Sequence, residues 1–248
     1  MSNVQNPKSN VFKMKKNIVI TGGTKGIGFA IAEIFAEAGY DLAICSRHEN
    51  DLTEMKTGFA KRFPNVTVFA MKADMSVKKE VLNFAEALKK EFHHINILIN
   101  NAGIFKPGNI STEAEDALES MMAANLFSAY HLTRAVLPLM YGSEKAHIFN
   151  MCSVANLKAY PGGGSYSISK FALYGFSQNL REELKSEKIK VTAVMPGATW
   201  SESWRGFDAP LERLMQAADI AKIIFSCTQL SDSAVVEDII LRPQLGDI

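Results

Sequence analysis

Tyr166 and Lys170, four residues apart in Tyr-Ser-Ile-Ser-Lys, fall on one face of a helix. A phenol with a pKa of about 10 carries protons poorly at neutral pH, and a nearby ammonium favours its phenolate form. Ser153 closes a strand-like run thirteen residues earlier. Its hydroxyl can hydrogen-bond a carbonyl oxygen that Tyr166 also reaches, so the chemistry in view is proton transfer at a carbonyl as its carbon changes oxidation state. Taken alone, Tyr-x-x-x-Lys is an ordinary pair on a helix surface. Ser153 and a glycine loop upstream turn it into a candidate site.

That loop is Thr21-Gly22-Gly23-Thr24-Lys25-Gly26-Ile27-Gly28, set between a strand-like run and an amphipathic helix. A helix N-terminus offers free N–H groups and a positive dipole end, which a pyrophosphate satisfies. Gly22, Thr24, Lys25, Gly26, Ile27 and Gly28 are therefore expected to cradle a dinucleotide. The G-x-x-x-G-x-G spacing differs from G-x-G-x-x-G and lacks the Gly-Lys-Ser/Thr ending of a triphosphate loop. The second strand-like run ends in Ser46-Arg47, with serine where an NAD site presents a carboxylate to the ribose diol. Arginine grips a phosphate as a fork and lysine as a point charge, so Arg47 and Lys25 favour a 2′-phosphate and hence NADP(H). Asp74 and Met75, after the third run, are expected at the adenine edge; capping of the helix that follows Ser76 is an equal role for Asp74. An oxidised nicotinamide would add its positive charge to that of Lys170 in favouring phenolate, and Lys170 is also expected to hold the nicotinamide ribose.

Seven β-rich runs (17–21, 41–45, 66–71, 95–100, 146–152, 190–195 and 235–241) alternate with helical periods at 27–38, 51–63, 78–92, 114–140 and 166–186. Such alternation predicts an α/β chain: a single doubly wound Rossmann-type domain, its seven-stranded parallel sheet flanked by helices on both faces. Ligands of such sheets lie beyond the carboxyl ends of the strands, where the residues above fall. Residues 1–15 read as a flexible tail and 16–248 as the one catalytic domain. At 47% hydrophobic and 21% charged, the 248-residue chain can bury a large core, and a net charge of +1 gives no field for nucleic acid or an anionic membrane. With no run of about 18 apolar residues, and with three cysteines, an odd number in a chain too large to need staples, read as buried thiols of a reducing compartment, the chain is expected in the cytoplasm. His93 and His94 point different ways on a helix and no metal-ligand cluster emerges.

These motifs together, with Asn100-Asn101-Ala102-Gly103, Asn125 and Pro196-Gly197, resemble the short-chain dehydrogenase/reductase family over roughly residues 16–248. The resemblance implies that Asn101, Ala102 and Gly103 line the cofactor and that Ser153, Tyr166 and Lys170 are catalytic. It also implies that Asn125 holds a water in a proton relay, although a buried mid-helix asparagine is equally consistent with a structural hydrogen bond. The stretch Pro196, Gly197, Thr199, Ser201 resembles the family's carboxamide-binding segment, with threonine and serine where P-G-x-V-x-T is usual. The residues 235–243 and 246–248 are similar to the end of bacterial sepiapterin-reductase-like members. The implied activity is NADP(H)-dependent reduction of a small carbonyl substrate, in a homodimer or homotetramer. The aromatic residues Phe105, Tyr160, Trp200, Trp204 and Phe207 either stack a planar ring or anchor a short lid. A 3-oxoacyl-(acyl-carrier-protein) reductase is the alternative within the class, and a non-catalytic NADP-sensing protein the alternative outside it.

Overall fold

The computed structural model describes residues 15–200 and 213–247. Strand β1 (Asn17–Thr21) is buried along its whole length, and pleat alternation sends Ile18 and Ile20 into one core and Val19 into the other. A strand buried on both faces must be covered on both faces, and the rest of the architecture follows from that. Beside it lie β2 (Asp41–Ser46), β3 (Val68–Lys72), β4 (Ile97–Asn100), β5 (His147–Met151), β6 (Lys190–Pro196) and β7 (Asp238–Leu241). All pair in parallel in the order β3-β2-β1-β4-β5-β6-β7. The strand order reverses between β1 and β4, which opens a crevice at their carboxyl ends.

On the face of Ile18 and Ile20 lie α1 (Gly26–Glu37) and α2 (Glu49–Arg62), through Ile31, Phe35, Leu52 and Phe59. The opposite face is covered by α3 (Lys78–Glu91), α5 (Ser128–Met140) and α6 (Gly164–Leu184), through Phe84, Leu132, Val136 and Leu180. A further helix, α7 (Ala217–Thr228), packs on the first face, with Phe225 edge-on to Phe35 at 5.3 Å. It is not among the helices expected from the sequence, although Ile220, Ala221, Ile224 and Cys227 carry helical spacing and are buried.

The single helix expected over 114–140 is broken into α4 (Ala117–Met122), one π-helical turn (Ala123–Phe127) and α5. A π turn holds one extra residue, and such bulges concentrate at functional sites. Here the turn carries Asn125. The last strand is shorter than the expected 235–241: the Val236 carbonyl accepts from the Thr192 hydroxyl at 2.6 Å, ahead of the β7 ladder. Lys15, at the end of the expected tail, is pinned by an ion pair to Asp41 at 2.5 Å. Among the described residues, no helix is long and apolar enough to cross a membrane.

Candidate active site

At the switch between β1 and β4, a cavity of about 1190 Å³ runs along the carboxyl ends of the strands. One end is the glycine loop. Gly22, Thr24, Lys25, Gly26, Ile27 and Gly28 all line it. Gly22 has φ +63, and a Cβ on Gly28 would stand 2.3 Å from the Gly22 carbonyl oxygen, so α1 packs on its loop only because residue 28 is glycine. Asn101 braces the same turn: its Nδ2 donates to the Thr21 and Gly22 carbonyls at 2.9 and 3.0 Å, and its N–H to the Thr21 hydroxyl at 3.0 Å. Asn101, Ala102 and Gly103 line the cavity. The helix α1 starts without a side-chain cap and without an acidic residue in its first turn. Uncapped N–H donors beside a cavity, reached through glycines, fit a pyrophosphate.

Beyond the loop lie Ser46, Arg47, Asp74 and Met75. The Thr24 hydroxyl donates to Ser46 Oγ at 3.1 Å, joining loop to β2. Arg47 is exposed and makes no ion pair among the described residues. Lys25 is different: its Nζ pairs with Asp51 Oδ2 at 2.9 Å. The corner that the sequence presents as two cations therefore contains a carboxylate as well, and Lys25 would have to be shared with any phosphate. Asp74 reaches the cavity without capping α3. It lines the cavity, and its Oδ1 accepts from the Ser76 N–H at 2.9 Å and the Ser76 hydroxyl at 2.7 Å. Because α3 starts only after Val77, this is a turn before the helix rather than its cap.

Ser153, Tyr166 and Lys170 converge on the cavity's other half. Ser153 stands just past β5, where its Oγ accepts from the Ala155 N–H at 3.1 Å and opens a short 3₁₀ turn, Val154–Asn156. Burial raises the Tyr166 phenol above its ordinary pKa, opposed by a hydrogen bond with Ser153. The lowering expected from Lys170 is not among the influences on the phenol, of which desolvation is the largest. The Lys170 Nζ lies 5.7 Å from the Tyr166 ring centroid and donates to the Met151 carbonyl at 2.7 Å. Burial also lowers its amine to about 8. Asn125 does not line the cavity. Its Oδ1 accepts from the Ile104 N–H at 2.8 Å, and its Nδ2 donates to the Ile104 carbonyl at 3.0 Å and to Ser169 Oγ at 2.8 Å. It ties the π turn to the loop after β4 and to α6. Cys152, next to Ser153, is buried and its thiol is pushed up to about 11, which leaves it unreactive.

Pro196, Gly197 and Thr199 complete the wall after β6. Thr199 is buried and its hydroxyl donates to the Gly197 carbonyl at 2.9 Å. Ser201, Trp204 and Phe207 lie outside the described residues. Arg242 and Asp247, an ion pair from the segment after β7, also line the cavity, and the sequence reading gave neither a site role. Both lie in the stretches 235–243 and 246–248 that carry the C-terminal resemblance, and the course of that segment brings them to the cavity.

The short-chain dehydrogenase family model matches residues 16–210. The chain is 33% identical to the sepiapterin reductase of Chlorobaculum tepidum over 95% of its own length and 99% of that protein's. It is 32% identical to a 3-oxoacyl-(acyl-carrier-protein) reductase of Chlamydia muridarum, covering 82% of each chain. Its fold is similar to that of an NADPH-bound short-chain oxidoreductase of Pseudomonas aeruginosa with an atypical catalytic centre (TM-score 0.86, 26% identity, 93% and 96% of the two chains covered). A glycine loop at an uncapped helix, a serine, tyrosine and lysine on one cavity wall, and these likenesses along nearly the whole chain have one reading: the protein belongs to the short-chain dehydrogenase family of oxidoreductases.

Proposed function

We propose that this oxidoreductase uses NADPH to reduce the ketone or aldehyde of a small planar molecule, with Tyr166 giving the proton to the carbonyl oxygen. The observation that carries the reading is the meeting of Ser153, Tyr166 and Lys170 on the cavity that the uncapped end of α1 also borders. Gly22, Thr24, Gly26, Ile27 and Gly28 would hold the pyrophosphate, Arg47 and Lys25 the 2′-phosphate beside Ser46, and Asp74 and Met75 the adenine edge. Asn101, Ala102, Gly103, Pro196, Gly197 and Thr199 would line the rest. When bound, the reduced nicotinamide supplies the hydride.

The residues do the remaining work. Ser153 orients the carbonyl oxygen through its hydroxyl. Tyr166 holds a proton there, and its raised pKa keeps the phenol protonated at neutral pH, the state a donor in reduction needs. The Lys170 ammonium favours the phenolate left after transfer. Asn125 fixes the π turn against Ile104 and Ser169, which keeps α6 in register with the loop. The Phe105 ring, edge-on to Tyr166 at 4.8 Å, gives the substrate side an aromatic wall suited to a flat ring. Likeness to a sepiapterin reductase supports a pterin-like substrate. The three buried free thiols suit a reducing compartment such as the cytoplasm.

The test pairs an NADPH-oxidation screen over sepiapterin, diketones, acetoacetyl thioesters and aromatic aldehydes with the Tyr166→Phe variant. Turnover is expected on a planar carbonyl, falling at least about a thousandfold in the variant, while NADPH affinity by fluorescence titration stays within about twofold. Retained turnover would remove Tyr166 from its role, and turnover of the thioester alone would favour the acyl-carrier alternative.

A further inference from the structure

The helix that carries Tyr166 and Lys170 has a loose entrance. It is entered through Gly162-Gly163-Gly164, three residues of maximal backbone freedom of which the last is its first residue, and its N-cap Gly163 has no side chain to cap it. Tyr166 stands in the first turn, where fraying would displace it most.

The loop after β4 supplies what the helix lacks. Gly108 N–H donates to the Gly162 carbonyl at 2.9 Å, and the Gly162 N–H donates to Asn109 Oδ1 at 3.1 Å. Glu113 then reaches the helix itself: its carboxylate accepts from the Ser165 N–H at 3.2 Å and from the Ser165 hydroxyl. An ionised carboxylate is the acceptor best suited to free N–H groups at the positive end of a helix. The fit is close. Gly164 has φ +36, and a Cβ there would stand 2.4 Å from the Gly108 carbonyl oxygen and 2.7 Å from Glu113 Oε2. The same loop holds Asn125 through Ile104 and sets the Phe105 ring against Tyr166. One segment thus touches the π turn, the tyrosine ring and the start of its helix.

We propose that Glu113 is a positioning residue for Tyr166: it latches the first turn of α6 to the β4 loop and so fixes the phenol relative to Ser153. The inference rests on the reading of Tyr166 as proton donor. Glu113 touches neither substrate nor cofactor in this role and acts through Ser165, the residue before the tyrosine.

Steady-state kinetics of the full chain with the carbonyl found by the screen, and NADPH titration, test the latch in Glu113→Ala, Glu113→Gln and Ser165→Ala. Misplacing a reacting group by about an ångström costs on the order of a hundredfold. Glu113→Ala is expected to lower kcat by about ten- to a hundredfold, with KM within about threefold and NADPH affinity within about twofold. Glu113→Gln keeps an acceptor oxygen and is expected to recover kcat to within about fivefold of wild type. In hydrogen exchange, amides of residues 162–168 lose protection in the alanine variant and regain it in the glutamine variant, with the amides of α1 unchanged. The latch is overturned by an alanine variant with wild-type kcat, by glutamine no better than alanine, or by unchanged protection at 162–168. Should Glu113→Ala not fold, Ser165→Ala decides: it keeps the N–H bond, so kcat falls about threefold, and an unchanged kcat overturns the proposal. Activity surviving in Tyr166→Phe would instead sink the proton-donor reading on which the latch rests.

Discussion

Lys170 has 6% of its surface exposed, and its amine is lowered to about 8 from 10.5 by burial. Below pH 8 the folded protein holds a buried ammonium. Between 8 and 10.5 the unfolded chain binds the proton and the folded protein has released it, so stability rises with pH across that window. At about 1.4 kcal/mol per pK unit the penalty at neutral pH is about 3 kcal/mol, against which the bond to the Met151 carbonyl contributes about 1 kcal/mol of stability. Lys170→Met should therefore be inactive yet more stable than wild type by about 2 kcal/mol at pH 7 in urea unfolding. That advantage should vanish at about pH 9.5; equal stability at pH 7 would refute the argument. Arg47 carries a second prediction at this scale. Its guanidinium is exposed and unpaired among the described residues, so Arg47→Ala should weaken NADPH by about tenfold or more and NADH by less than twofold. Equal losses in fluorescence titration would exclude contact with the 2′-phosphate. That Ser153 and Arg47 border the cavity was legible from their places after strands, and that Tyr166 does so, from its spacing to Lys170 read together with Ser153 and the glycine loop. Asp51, Glu113 and the Arg242–Asp247 pair were not, since each acts on a partner or a cavity that only the folded chain brings near, and neither spacing nor periodicity records such meetings.

Strands were the most legible elements. A strand buried on both faces is an apolar run with little alternation, and β1, β4 and β5 are buried at every position. The break at Ala123–Phe127 was hidden by the same logic. An extra residue within an apolar helix shifts the phase of the pattern without interrupting it, and 114–140 reads as one helix. What ends the regular winding is Asn125, whose amide finds both backbone groups of Ile104 and the Ser169 hydroxyl; those partners lie 21 and 44 residues away. The start of α6 was placed two residues late, at Tyr166 rather than Gly164, because three glycines signal a loop and Glu113 converts the last of them to helix.

At the scale of the molecule, α5, α6 and the π turn between α4 and α5 leave Phe127, Tyr130, Ile168 and Phe171 exposed on neighbouring helices. Exposed aromatics of this size on adjoining faces suit a twofold interface between copies of the chain. Phe171→Asp is expected to convert a dimer or tetramer to a smaller species in sedimentation equilibrium; a wild-type protein that is already a monomer at micromolar concentration would end that expectation. The reversal of strand order has a different consequence. Lys25, Arg47 and Asp51 follow β1 and β2, whereas Ser153 and the tyrosine helix follow β5, so on the proposed function the residues that would choose the nucleotide and those that would choose the substrate lie on opposite sides of one seam. Changes on one side need not disturb the other, and their effects should add. A lineage built on this sheet can exchange one preference and inherit the other intact.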